Sequence, residues 1–110
     1  MAKTIAIKTE DGKEYTLEYT RKTIQQMESK GFKIQELDSK PMTMLPEFFA
    51  GAFLAHHKFV KREVIDDIFH KMKNKDALLE ALGNMYNEPL LALMDEPDES
   101  EGNIDWKMTE

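Results

Sequence analysis

Residues 41–57 place Phe48, Phe49, Ala50, Ala52, Phe53, Leu54 and Ala55 so close together that, wound as a helix, they cover almost its whole circumference. A helix apolar on every side must be enclosed by its own domain or covered by a partner. The stretch is interrupted by Pro46, Glu47, Gly51, His56 and His57. It is also shorter than the roughly 20 apolar residues that cross a bilayer. It reads as a buried central helix over about residues 43–58, capped by Thr43, with Pro46 in the first turn where a missing N–H is tolerated. Gly51 costs about 1 kcal/mol relative to alanine inside a helix, which points to another backbone packed closely against it.

A domain of this size struggles to surround such a helix, so part of it is expected to face a partner. Residues 4–8 and 15–19 alternate in polarity around Glu10-Asp11-Gly12, the pattern of a β-hairpin. A two-residue turn would put Ile5 and Ile7 on the face opposite Tyr15 and Leu17. A three-residue loop pairs Ile7 with Tyr15, Ile5 with Leu17 and Lys8 with Glu14, so the apolar residues share one face. That register requires Gly12 in the left-handed conformation of a bulged turn. A helix over residues 21–30 follows, with Thr20 as N-cap and Gly31 as stop, and Phe32 placed to meet Met27. Phe32, Ile34 and Leu37 point inward from an extended segment, and residues 38–41 form a turn. Val64, Ile65, Ile68, Phe69 and Met72 make one stripe of a helix over residues 62–72. Asn74 caps a last helix carrying Leu78, Leu79, Leu82, Met85 and Tyr86, which Pro89 kinks or restarts through Leu90, Leu93 and Met94. The expected fold is α+β: an N-terminal hairpin packed on an antiparallel bundle of about four helices. One domain spans residues 1–94, followed by an acidic tail, residues 95–110. Within the tail, Ile104, Trp106 and Met108 alternate with polar residues, the pattern of a third strand at 103–108.

The net charge of −6 sits entirely in that tail, which holds seven acids and one base. The body is neutral and has no basic patch, so binding nucleic acid through its phosphates is not expected. Cysteine is absent, which removes disulfides and thiolate chemistry and suits a reducing compartment. The first residues lack the apolar run of a signal peptide.

Catalytic raw material is sparse. The serines Ser29, Ser39 and Ser100 lie in turn or tail contexts without a nucleophile elbow. The glycines are scattered, with no phosphate-binding loop. Asp66 and Asp67 are adjacent and read as solvated rather than as an acid–base pair. The weak metal candidates, which carry the rival reading of a small metal-dependent enzyme, are His56, His57, Asp66 and His70. Asp66 and His70 share a helix face, but adjacent histidines diverge by about 100° on a helix, so only one of His56 and His57 can join them. No catalytic residue, metal or cofactor is expected. Eight methionines suit either an adaptable binding surface or an ordinary small core. The tail reads first as a solvated terminus that aids solubility, with two rival readings, an acidic mimic of nucleic acid or a docking segment for a basic partner.

The order of elements and the local wording resemble a known family. The hairpin ends in Lys13-Glu14-Tyr15-Thr16-Leu17-Glu18-Tyr19-Thr20-Arg21-Lys22, and a short helix and Gly31-Phe32 follow. Then come Leu45-Pro46-Glu47-Phe48-Phe49-Ala50-Gly51-Ala52-Phe53-Leu54-Ala55-His56-His57-Lys58 and a charged amphipathic helix. From Ile5 to Trp106 this resembles the small tail-module proteins of siphophages and prophages of Gram-positive bacteria, their tail assembly chaperones in particular. The resemblance implies a non-enzymatic protein of the host cytoplasm, absent from the mature virion. It would bind the tape-measure protein, help to recruit tail-tube subunits, and in some relatives self-associate. Neither nucleic acid nor membrane is an expected partner. The residues expected at the partner surface are Phe48, Phe49 and Phe53, with Tyr86 and Leu90.

Overall fold

The computed structural model describes residues 4–95 and 104–109. Strands β1 (Ile5–Lys8) and β2 (Glu14–Leu17) pair antiparallel with Ile5 opposite Leu17, Ile7 opposite Tyr15 and Lys8 opposite Glu14. This is the register expected from keeping the apolar residues on one face. The Thr9 N–H donates to the Lys13 carbonyl (2.9 Å) and the Gly12 N–H to the Thr9 carbonyl (3.0 Å). Gly12 has φ +84°, a conformation that side chains other than glycine's resist.

Helix α1 (Arg21–Ser29) starts and stops where its caps dictate. The Thr20 hydroxyl accepts from the Thr23 N–H (3.1 Å), and the Thr23 hydroxyl accepts from the Thr20 N–H (2.9 Å), a reciprocal capping box. At the other end Gly31, at φ +99°, donates to the Glu28 carbonyl and Phe32 to the Met27 carbonyl, each at 3.0 Å. That is the Schellman pattern, and Met27 and Phe32 join the same buried cluster. Residues Ile34–Glu36 form a 3-10 turn rather than the expected extended segment. A tight turn brings both Ile34 and Leu37 against the core.

Helix α2 (Pro41–Gly51) is shifted from the expected 43–58. It begins at Pro41, whose missing N–H is one of those left over at any helix start, so Thr43 lies inside the helix rather than at its cap. Pro46 therefore falls in the interior. The residue whose carbonyl it leaves without a helical donor is Met42, which is 90% exposed and so open to water. After Gly51 the chain tightens: Ala52, Phe53 and Leu54 donate to the carbonyls of Phe49, Ala50 and Gly51 (3.1, 3.1 and 3.2 Å). The Ala52 N–H is thus turned away from Phe48. The Phe48 carbonyl accepts instead from the buried Tyr19 hydroxyl at 2.5 Å, satisfying an orphan acceptor of the last turn.

Helices α3 (Arg62–Lys71) and α4 (Lys75–Met94) complete the bundle. Asn74 precedes α4 in the left-handed conformation, φ 56°, and makes no side-chain cap. The helix continues through Pro89 to Met94. Among the described residues no helix is long and apolar enough to cross a membrane. The sheet has two strands among the described residues, and residues 104–109 form no strand. Of the acidic tail, residues 96–103 and 110 lie outside the described residues.

The apolar face of α2 and the turn after it are enclosed from two sides. Toward α1 and α4, Phe48 stacks between Tyr19 (5.3 Å, 12°) and Phe32 (5.8 Å, 3°), with Tyr86 edge-on at 5.5 Å. Toward the hairpin and α3, Phe49 meets Phe69 (4.9 Å) and Phe53 (5.3 Å), and Phe53 meets Tyr15 (5.5 Å). An eleven-residue helix is only about 16 Å long, short enough for a domain of this size to surround. Gly51 is spaced for a side chain rather than a backbone. A Cβ there would lie 2.3 Å from Met27 Sδ and 2.4 Å from its Cε.

Two outcomes follow. Tyr19→Phe leaves the Phe48 carbonyl without its buried donor and should cost about 1–3 kcal/mol in urea denaturation. Burial, and secondarily the neighbouring Tyr86, hold the Tyr19 phenol well above its ordinary value. The unfolded chain therefore loses that proton first, so this contribution to stability is complete below about pH 10 and falls as pH rises beyond it. The phenolate absorbance of Tyr19 should accordingly appear together with alkaline unfolding. Separately, Gly51→Ala should lower stability by about 1–3 kcal/mol through overpacking. In a Met27→Ala background it should become neutral or favourable, a coupling that a double-mutant cycle measures.

Candidate functional site

Four of the five side chains expected at a partner surface lie inside. Phe48, Phe49 and Phe53 are 2%, 0% and 1% exposed, and Tyr86 is also buried. They are the core that the aromatic contacts around α2 build, and in the folded chain they are not available to a partner. Leu90 alone of the five is exposed.

Leu90 belongs to a larger surface. The buried residues of α4 are Leu78, Leu82, Met85 and Tyr86, all in the part of the helix that lies on the body. Beyond them Leu90, Leu91, Leu93 and Met94 are 54%, 61%, 51% and 74% exposed. These four crowd into the last turns of the helix and so face several directions around it. A cluster of large apolar side chains in water at a helix end marks an interaction site more often than isolated exposed leucines do. Leu91 was missed from sequence because periodicity assigns α4 a single buried stripe. The available signal was that four large apolar residues in five positions exceed one stripe.

The metal candidates are not brought together. The His56 Nε2 contacts Glu18 Oε1 at 2.7 Å. The His57 Nε2 accepts from the Thr16 N–H at 2.9 Å, so that nitrogen carries no proton, and its ring lies edge-on to Tyr15 at 5.2 Å. Both histidines fasten the segment after α2 to the outer edge of β2, where the Glu18 N–H also donates to the Ala52 carbonyl (3.0 Å). Asp66 pairs with Arg62, which also reaches Glu47 (each 3.0 Å) and so ties α3 to α2. Asp67 pairs with Lys71 at 3.0 Å. His70 is exposed, and its carbonyl accepts from Lys75 Nζ. Among the described residues no group of histidines and carboxylates is placed to hold a metal ion. Ser29 donates to the Gln26 carbonyl (2.8 Å), and Ser100 lies outside the described residues.

Two of the open concavities among the described residues are roomy enough to consider as pockets. One, of about 670 Å³, runs from Thr20, Thr23 and Gln26 to residues 54–60, with Phe59 largely exposed at its rim. The other, of about 370 Å³, separates the hairpin from α3. Ile7, Tyr15, Ile68 and Met72 form its apolar part, with Val64, and charged residues including Lys8 and Asp67 rim it. Neither presents the converging titratable groups of an active site.

A family model described as Domain of unknown function (DUF5055) matches residues 1–109. No curated protein and no solved structure matches the chain.

The placement of the histidines has a measurable consequence. His57→Ala removes the acceptor for the Thr16 N–H and should cost about 1 kcal/mol, while His57→Gln, which keeps an acceptor, should restore part of it. Stoichiometric zinc should leave the thermal midpoint of the wild-type chain unchanged, because ligand binding to a folded state raises that midpoint.

Proposed function

The chain belongs to the DUF5055 family, and we propose that it is a non-enzymatic phage tail assembly chaperone. It holds the tape-measure protein soluble in the host cytoplasm, assists recruitment of tail-tube subunits, and leaves before the virion matures. The observation that carries this reading is the exposed apolar end of α4, Leu90, Leu91, Leu93 and Met94. A client that is itself a long amphipathic helix binds by laying its apolar face against such side chains. Leucine and methionine suit it further, since flexible side chains repack against varied client sequences. The resemblance of residues 5–106 to tail assembly chaperones supplies the identity of the client, and the surface supplies a means of holding it. The contact moves from the phenylalanines of α2 to the end of α4, because only the latter can be reached without unfolding the core.

Co-expression with a tape-measure protein from the same genome tests the proposal. The chaperone should co-purify with that protein and raise its soluble yield severalfold. Replacing Leu90, Leu91, Leu93 and Met94 by serine should abolish both effects while leaving the thermal midpoint within a few degrees of wild type, since none of the four is buried. An unaltered complex with that variant would remove this surface from the mechanism, and no complex with the wild-type chain would sink the chaperone reading.

A further inference from the structure

The two edges of the hairpin are treated differently. In this register Thr9 and Lys13 are hydrogen-bonded, so Ile7–Tyr15 and Ile5–Leu17 are the next bonded pairs and Lys8–Glu14 and Ala6–Thr16 are not. The backbone groups of Thr16 point away from β1 and are met there by His57. Those of Ala6 and Lys8 point away from β2, and no described strand pairs with that edge. An open strand edge is a template for another strand. Beneath it lies the concavity between the hairpin and α3, where Val64 remains 39% exposed beside Ile7 and Ile68.

The same chain carries a segment of matching pattern. Ile104, Trp106 and Met108 alternate with Asp105 and Lys107, and the three apolar side chains are 92%, 82% and 86% exposed. A tryptophan left in water forgoes a large apolar burial. We propose that residues 104–108 dock on the free edge of β1 as a third, antiparallel strand, with Trp106 opposite Ile7 and seated over the concavity. Charge selects this arrangement. Antiparallel pairing sets Asp105 against Lys8 and Lys107 against Ala6, whereas parallel pairing with Trp106 at the same place sets Lys107 against Lys8, a like-charge contact that destabilises sheets. A shift of two residues toward the start of β1 loses the Asp105–Lys8 pair and carries Met108 beyond Ile5, the first residue of β1, and a shift of two the other way sets Lys107 against Lys8.

The connection is long enough. Lys75, at the start of α4, donates to the carbonyl of Met72, a residue of the concavity, so α4 begins beside the docking site. The helix carries the chain about 30 Å away over its 20 residues. Nine fully extended steps, the number from Asp95 to Ile104, span at most about 30 Å, enough to return over that distance. The docked segment closes the one edge that the segment after α2 leaves open.

Trp106 is the single tryptophan and the chain has no cysteine, so both reporters are clean. In the full-length protein the tryptophan emission should be blue-shifted from that of free tryptophan and protected from acrylamide. Lys8→Pro removes an N–H that points away from β2, at an edge position where proline is tolerated, and should red-shift the emission and restore quenching while the circular dichroism is retained. As an independent measurement, Lys8→Cys with Asp105→Cys should oxidise rapidly to an intramolecular disulfide in a monomer. Ala6→Cys with Asp105→Cys, about 7–8 Å apart on the diagonal, should do so far more slowly. Emission already at the position of free tryptophan, or thiols that stay free, would overturn the docking. Disulfides formed only between chains would overturn it as an intramolecular contact and assign the strand to a second copy.

Discussion

Much of the molecule is organised around the point where α2 stops. Once Ala52 donates to Phe49 rather than to Phe48, the Phe48 carbonyl needs another donor inside the core, and the Tyr19 hydroxyl provides it. That bond joins the end of the hairpin to the end of the helix. It also sets the Tyr19 ring flat against the Phe48 ring, and Phe32 and Tyr86 build outward from that pair. An aromatic core of this kind has few alternative packings, because each ring is positioned by two or three others and one hydroxyl is tied to a backbone acceptor.

The end of α2 also determines what the histidines do. Had the helix run on through residues 56–58, His56 and His57 would have stood on it as a pair of ligand candidates. Because the chain turns at Gly51, they swing against β2. One takes a backbone N–H that an edge strand would otherwise leave to solvent or to another chain, and the other contacts Glu18. Edge protection thus accounts for residues that composition alone offers to metal chemistry.

Function then rests with what the core does not consume. With Phe48, Phe49 and Phe53 enclosed, most of the large apolar groups left in water lie at the end of α4 and in residues 104–108, with Met42, Phe59 and Val64 elsewhere among the described residues. The first carries the proposed client contact and the second matches the free edge of β1. Both lie toward the C-terminal end of the sequence, after the last residue that packs into the body. A chain built in this way keeps its fold and the proposed contact surface energetically separate, so either can change without unfolding the other.

The sequence by itself determined the local structure. Polarity alternation and Gly12 specified the hairpin register, since a slip of one residue would turn Ile5 and Ile7 outward. Thr20 and Gly31 specified both ends of α1, because capping is a matter between near neighbours. The α+β class and the amphipathic α3 were equally legible. Only the tertiary structure decided where α2 ends, that Gly51 makes room for Met27 rather than for a backbone, and which apolar residues are core. Those depend on contacts between segments far apart in the chain, such as Tyr19 with Phe48 and His57 with Thr16. Hydrophobicity states that a side chain leaves water without stating whether its own domain or another molecule receives it. That is why Phe48, Phe49 and Phe53 looked like a surface for a partner and proved to be the interior.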